Sequence, residues 1–353
     1  MVKPSTSVGL KAAKAVTLAA SVVIAACSAA APAATSGTGA SAAASTAVGS
    51  SAAGSSPAED MSNISVSYLD GLKGIPFFTS VHCGAQARAT ELGIKYDHDG
   101  PAAFDPTQQI PLLNAIGARK PSALIISPTD TQALIAPLQG LTGQGIKIVT
   151  VDTTVSDETI AVSRIISDNA AGGKLGAETL NQLTGGKGSV VVLSVKPGIS
   201  TTDERAQGFT EAIKGFPTLK FLGVEYNQGT DKTAQEVVTA LIAREADLSG
   251  IFIVGNVGSE GAAAALRAAN VSDRVKVVQY DASPPQVDQL KQGVLNALIA
   301  QDPYQEGVAA VDQAVNAVLG KPVEKVIQTG LNVITRQAAD DGTGLKYMYK
   351  TEC

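Results

Sequence analysis

Two hydrophobic rhythms alternate along most of the chain. Short, nearly continuous apolar runs rich in Val and Ile recur at ISVSYL, ALIIS, KIVTVD, IAVSRIIS, SVVVLSV, KFLGVEY, GIFIVGN, VKVVQYD and NALIAQD. Between them lie longer stretches with Ala-rich faces at helical spacing, among them DPTQQIPLLNAIGARK, AAGGKLGAETLNQLTGG, KTAQEVVTALIAREAD and YQEGVAAVDQAVNAVLGK. Apolar strands alternating with amphipathic helices predict parallel sheets covered on both faces, an α/β class. Asp105-Pro106 offers a helix N-cap followed by proline at the first helical position. Gly93, Gly145 and Gly320 stand where helices should stop.

The beginning of the chain follows neither rhythm. Lys3, Lys11 and Lys14, with no acid among them, precede an apolar run over residues 17–26. That run is too short to span a bilayer, and the pattern predicts an export signal over residues 1–26. The run ends in Ile24-Ala25-Ala26-Cys27, which resembles the lipobox of bacterial lipoproteins. The resemblance implies cleavage before Cys27 and a diacylglycerol on its sulfur; the alternative is an ordinary signal with an incidental cysteine. Residues 27–62 are almost wholly Ala, Ser, Gly, Thr and Pro, too poor in large apolar side chains to offset ordering entropy. A disordered tether is expected there, holding a globular body outside the cytoplasm at the outer face of the cell membrane.

The remaining body, roughly 290 residues, suits two lobes of ordinary domain size. Net charge is −5 before the signal's three lysines are removed, and the other basic residues are scattered. This excludes the basic stripe of a nucleic-acid binder. Cys83 and Cys353 are the cysteines left after Cys27. In an exported chain they are expected to pair as a disulfide, with two free thiols as the alternative.

Ligands of doubly wound sheets bind at the carboxyl ends of the strands. Those junctions carry Pro76-Phe77-Phe78, Asp152-Thr153, Arg205 in the first turn after SVVVLSV, Asn256, Asp281 and Gln301-Asp302. One junction has two aromatics and nearly every other has a planar polar group. His82 and His98 are isolated, so no metal site is expected. GGKLG and GGKGS lack the full phosphate-loop pattern. No Gly-x-Ser-x-Gly elbow is present, and no nucleophile is paired with a base. Neither an enzyme nor a cofactor is expected.

In their order and spacing, PFFTSVHCGAQARATELG, ISPTDTQAL, IVTVDT, SDNAAGGKLGAETL, ERAQGF, VGN, YDASP and IAQDPYQEG resemble the ribose-binding branch of type I periplasmic sugar-binding proteins. The resemblance runs from about Ile64 to Thr335. It implies two doubly wound parallel-sheet lobes joined by a three-strand hinge. The first lobe would hold residues 63–166 plus 302–330, the second 167–301 plus 331–345, with a tail over 346–353. The chain would cross between lobes near Ser167-Asp168-Asn169, Gln301-Asp302 and Gly330-Leu331. The implied pocket is Phe77, Phe78, Asp152, Thr153, Arg205, Asn256, Asp281 and Gln301.

Two positions depart from the ribose-binding pattern: Ile75 stands where that branch has Asn before Pro-Phe-Phe, and Thr153 where it has Arg. Both changes remove donors, so ribose itself is not implied. A small sugar or sugar alcohol is implied instead. Carboxylates would accept its hydroxyls, Arg205 would donate in a fork, and rings would cover its C–H faces. The implied partners are the permease subunits of an ABC importer, with the lipid anchor as the membrane contact and a monomer as the assembly state. A sensor presenting its closed state to a receptor kinase is the alternative.

Overall fold

The computed structural model describes residues 61–353. The expected signal, Cys27 and all of the expected tether except Met61 and Ser62 lie outside the described residues.

The chain runs β1 (Ser65–Leu69), α1 (Pro76–Leu92), β2 (Lys95–Asp99), α2 (Pro106–Arg119), β3 (Ala123–Ile126), α3 (Ile135–Gly143), β4 (Lys147–Val151), β5 (Ser163–Ser167) and α4 (Asn169–Thr184). It continues β6 (Gly188–Ser194), α5 (Ser200–Ala212), β7 (Leu219–Tyr226), α6 (Asp231–Arg244), β8 (Leu248–Ile253), α7 (Ser259–Ala268), β9 (Lys276–Tyr280), α8 (Pro284–Gln292) and β10 (Ala297–Ala300). It ends α9 (Pro303–Val318), β11 (Val326–Thr329), β12 (Asn332–Thr335) and α10 (Arg336–Asp340).

Two six-stranded sheets result, ordered β11-β5-β4-β3-β1-β2 and β12-β10-β9-β8-β6-β7. The orders correspond strand for strand, so the two lobes share one plan. Every pairing in the first sheet is parallel. The second sheet is parallel except at its edge, where β12 runs antiparallel to β10 with Thr335 opposite Ala297. Central strands are buried on both faces, as in ALII of β3, which explains their unbroken apolar runs. Edge strands are covered less. β2 reads KYDHD, with Lys95 and Asp97 exposed, and β11 reads VIQT. Such strands do not announce themselves as apolar runs. The polar helix α8 was equally silent; Ser283 and Gln286 start it with a reciprocal capping box.

The backbone passes between sheets three times. β5 leads into α4, which packs on β8, β9 and β10 of the other sheet. β10 leads into α9, which returns to pack on β3, β4 and β5. Finally β11 passes directly to β12. The first two crossings end in an aspartate cap: Asp168 accepts from the Ala171 amide at 2.9 Å and Asp302 from that of Gln305 at 3.3 Å.

Each crossing helix is clamped to the first helix of its new lobe by reciprocal glycines. A Cβ on Gly84 of α1 would lie 2.0 Å from the Tyr304 carbonyl oxygen, and one on Gly307 of α9 would lie 2.0 Å from that of Val81. In the other lobe, a Cβ on Gly208 would meet Ala170 O at 2.1 Å and one on Gly173 would meet Arg205 O at 2.0 Å. The backbones therefore touch with nothing between them, which fixes where each crossing lies. Gly307→Ala forces the α1–α9 backbones apart and is expected to cost about 1–3 kcal/mol. Chemical denaturation checks this, and an unchanged midpoint would contradict it.

Candidate ligand site

Between the carboxyl ends of the two sheets lies a cavity of about 420 Å³. Its lining includes Ile75, Phe77, Phe78, Asp152 and Thr153 from the first lobe, and Arg205, Asn256, Asp281 and Gln301 from the strand ends and second crossing of the other. All the pocket residues implied by the sequence resemblance thus border one space. Phe77 and Phe78 occupy the first turn of α1, where the helix end faces the cleft. Their rings meet edge to face at 5.2 Å. Gly71 makes room for the Phe78 and Phe104 rings, since a Cβ there would approach them at 2.9 Å and 2.7 Å.

Asp152 and Asp281 are equivalent. Each follows the corresponding strand, β4 or β9, and each has a left-handed backbone, with φ of 63° and 78°. Each donates its N–H to the neighbouring strand, to Ile165 O at 2.9 Å and Ile299 O at 2.8 Å. Non-glycine residues take this conformation at a cost, and such strain collects where a side chain must be aimed.

Arg205 is 4% exposed. Its Nε–H donates to Asn169 Oδ1 at 2.9 Å, and its two terminal nitrogens to Val254 O at 3.0 Å and Gln301 Oε1 at 2.9 Å. Its guanidinium carbon lies 3.7 Å from the centre of the Tyr280 ring. Three of the five guanidinium N–H groups are therefore committed within the protein. Gln301 is committed at both ends, because its Nε2 donates to Asp281 Oδ1 at 2.7 Å. The Tyr349 hydroxyl donates to the same oxygen at 3.0 Å. Gln301 therefore holds Arg205 and Asp281 in place as much as it lines the space. Asn256 is exposed within the cleft, and the buried Thr153 hydroxyl makes no hydrogen bond among the described residues.

Sequence reasoning missed several lining residues. Leu72, Ala102, Ala103 and Phe104 form part of the first lobe's wall, and Gln228 belongs to the second; Lys196, Thr201 and Thr202 also line it, from the KPGISTTDE loop on which the sequence already rests ligand specificity. Phe104 follows β2, a polar edge strand with no apolar run to mark its junction. Gln228 follows the end of β7 at Tyr226. An aromatic immediately before the Asp105-Pro106 cap was the available signal.

The periplasmic binding protein domain model matches residues 71–322. The ribose import binding protein of Haemophilus influenzae is 31% identical over 284 residues, covering 79% of this chain and 92% of that protein. The D-apiose import binding protein of Paraburkholderia graminis is 29% identical over 265 residues, covering 72% and 83%. A solute-binding protein of an ABC transporter from Agrobacterium vitis, solved bound with alpha-D-tagatopyranose, shares 34% identity at a TM-score of 0.78, covering 81% of this chain and 99% of that one. The chain is a type I periplasmic sugar-binding protein. Its relatives bind and deliver substrates, and this sugar-binding protein is not an enzyme.

The electrostatics of this sugar-binding protein follow from burial. Burial pushes the Asp152 and Asp281 carboxyls above the ordinary aspartate value, and Arg205 pulls both back. Hydrogen bonds from Gln301 and Tyr349 also favour the Asp281 anion. Burial opposes the Arg205 charge, but Tyr280, Asp281 and Asp152 hold its proton more firmly than usual. Deeper in the hinge, Glu306 is wholly buried in the first turn of α9. Ser167 Oγ and Thr329 Oγ1 donate to its Oε1 at 2.8 and 2.9 Å. Its Oε2 has no hydrogen-bond partner among the described residues. Burial, and then the nearby Asp152 carboxylate, raise its proton affinity.

A raised folded-state value means the folded chain holds a proton the unfolded chain would release. That contribution is full below the ordinary glutamate value of 4.5 and is lost as pH rises through the folded value. Wild type should therefore lose unfolding free energy between about pH 5 and about pH 8 more steeply than Glu306→Gln. Denaturant titrations across that range test this, and parallel curves would contradict it.

Proposed function

We propose that this protein captures a small sugar or sugar alcohol between its lobes and presents the closed form to the membrane subunits of an ABC importer. The observation that carries this reading is the division of the site. Asp152, Phe77 and Phe78 border the cavity from one sheet, and Arg205, Asn256 and Asp281 from the other. Hydroxyls on a sugar's edges match the carboxylates and the remaining guanidinium donors, while its C–H faces match the rings. A ligand that touches both sets holds the lobes together, and the three crossings are where such closure would turn. Ile75 and Thr153, lacking the donors of the ribose-binding pattern, favour a ligand other than ribose. The identity to a tagatose-bound relative supports a hexose-sized candidate.

The expected lipid on Cys27 would keep the body near the importer. The composition of residues 27–62 supports a tether of variable reach. In cells making the full chain, the protein should fractionate with membranes and Cys27→Ser should release it. Membrane association unaffected by Cys27→Ser would remove the anchor from the proposal.

A thermal-shift panel of pentoses, hexoses and alditols should raise the melting temperature with at least one member, because ligand binding to the folded state stabilises it by mass action. If none does, the carbohydrate reading loses its basis. With the best member, calorimetry of Asp281→Ala should show a loss of at least ~2 kcal/mol, since the partners of the missing carboxylate are left dry. An unchanged dissociation constant would take Asp281 out of the binding set.

A further inference from the structure

The last residues of the chain bind both sides of the cleft in turn. The Tyr349 amide donates to Ala282 O at 3.0 Å, on the loop that follows Asp281. The Lys350 amide donates to Ser80 Oγ at 2.7 Å, in α1 of the other lobe. Cys353 is bonded to Cys83, also in α1, across a sequence separation of 270. Between these ties Tyr349 is 3% exposed. Its ring stands edge-on to Phe77 with centroids 5.7 Å apart. Its hydroxyl accepts from the Gln301 backbone N–H at 3.0 Å and donates to Asp281 Oδ1 at 3.0 Å.

We infer that Tyr349 is a positioning residue of the sugar site, held against Asp281 and Phe77 by a C-terminal strap that the Cys83–Cys353 disulfide fastens to α1. Asp281 Oδ1 accepts hydrogen bonds from both the tyrosine hydroxyl and the Gln301 side-chain Nε2, which fixes the plane of the carboxylate. Its Oδ2 takes no hydrogen bond from the described residues and is the oxygen left for a ligand hydroxyl. The same tyrosine ring backs Phe77, so one side chain sets both a polar and an apolar contact of the site. The disulfide lies four residues further on and limits how far this segment can lift. The inference rests on the carbohydrate reading for its consequence, but its geometry can be tested with no sugar present.

Tyr349→Phe keeps the ring on Phe77 and removes only the hydroxyl. Cys353→Ser leaves Tyr349 intact and removes only the fastening. In ligand-free full-length protein, ¹³C-carboxyl NMR, with Asp281 assigned by its loss in Asp281→Asn, should show Asp281 titrating at higher pH in Tyr349→Phe. Cys353→Ser should move it the same way. Arg205 and Asp152, charged groups that interact with Asp281, are the same in every sample. A tyrosine that served only as packing would leave the titration where it was, and unchanged titration in both variants would overturn the inference. In a second arm, calorimetry with D-tagatose as the probe should show about tenfold weaker binding in Tyr349→Phe. Equal affinity for the two proteins would also overturn it. If wild type ignores D-tagatose, that bears on the choice of sugar, and the NMR arm alone decides the role of Tyr349.

Discussion

The buried guanidinium of Arg205 sets the terms for the rest of the cleft. A cation so far from water needs acceptors on its N–H groups and opposite charge nearby. It finds them at places where the chain changes direction: Asn169 after the first crossing, Val254 at the end of β8, and Gln301 at the second crossing. Tyr280 supplies the ring beneath. Gln301 then passes the constraint to Asp281. One side chain thus ties strand ends, a crossing and a candidate binding carboxylate into a single network.

The hinge solves the opposite problem. Glu306 follows the second crossing and receives hydroxyls from Ser167 at the first and Thr329 beside the third. Burial, and then the nearby Asp152 carboxylate, favour the neutral carboxyl over the anion there. The cleft therefore stabilises a buried cation, and the hinge favours a neutral carboxyl. The reciprocal glycine contacts of α1 with α9 and α4 with α5 keep both groups at the correct depth, because backbone against backbone has no side chain to yield.

Much of the site was legible because parallel sheets send every strand end to the same edge. Reading the junctions after β1, β4, β8 and β9 reached Phe77, Phe78, Asp152, Asn256 and Asp281, and the cavity borders all of them. The junctions after β2 and β7 went unread, and with them Phe104 and Gln228. β2 lies at a sheet edge and needs few apolar residues, so its signal was absent from the pattern rather than overlooked within it. The antiparallel turn of β12 was hidden for the same reason: four residues with one buried position resemble a loop.

By itself the sequence determined the α/β class, the alternation of strands and helices, and which residues stand at the strand ends, because hydrophobic period and position along the chain are local properties. The tertiary structure decided how each of those residues is used. It committed both ends of Gln301 to neighbours and placed Glu306 among three crossings. It also brought Tyr349 onto Asp281, 68 residues earlier in the chain. No local propensity encodes such contacts. They depend on the path of a strap fastened at Cys83, and on helix contacts so close that only the whole packed body fixes them.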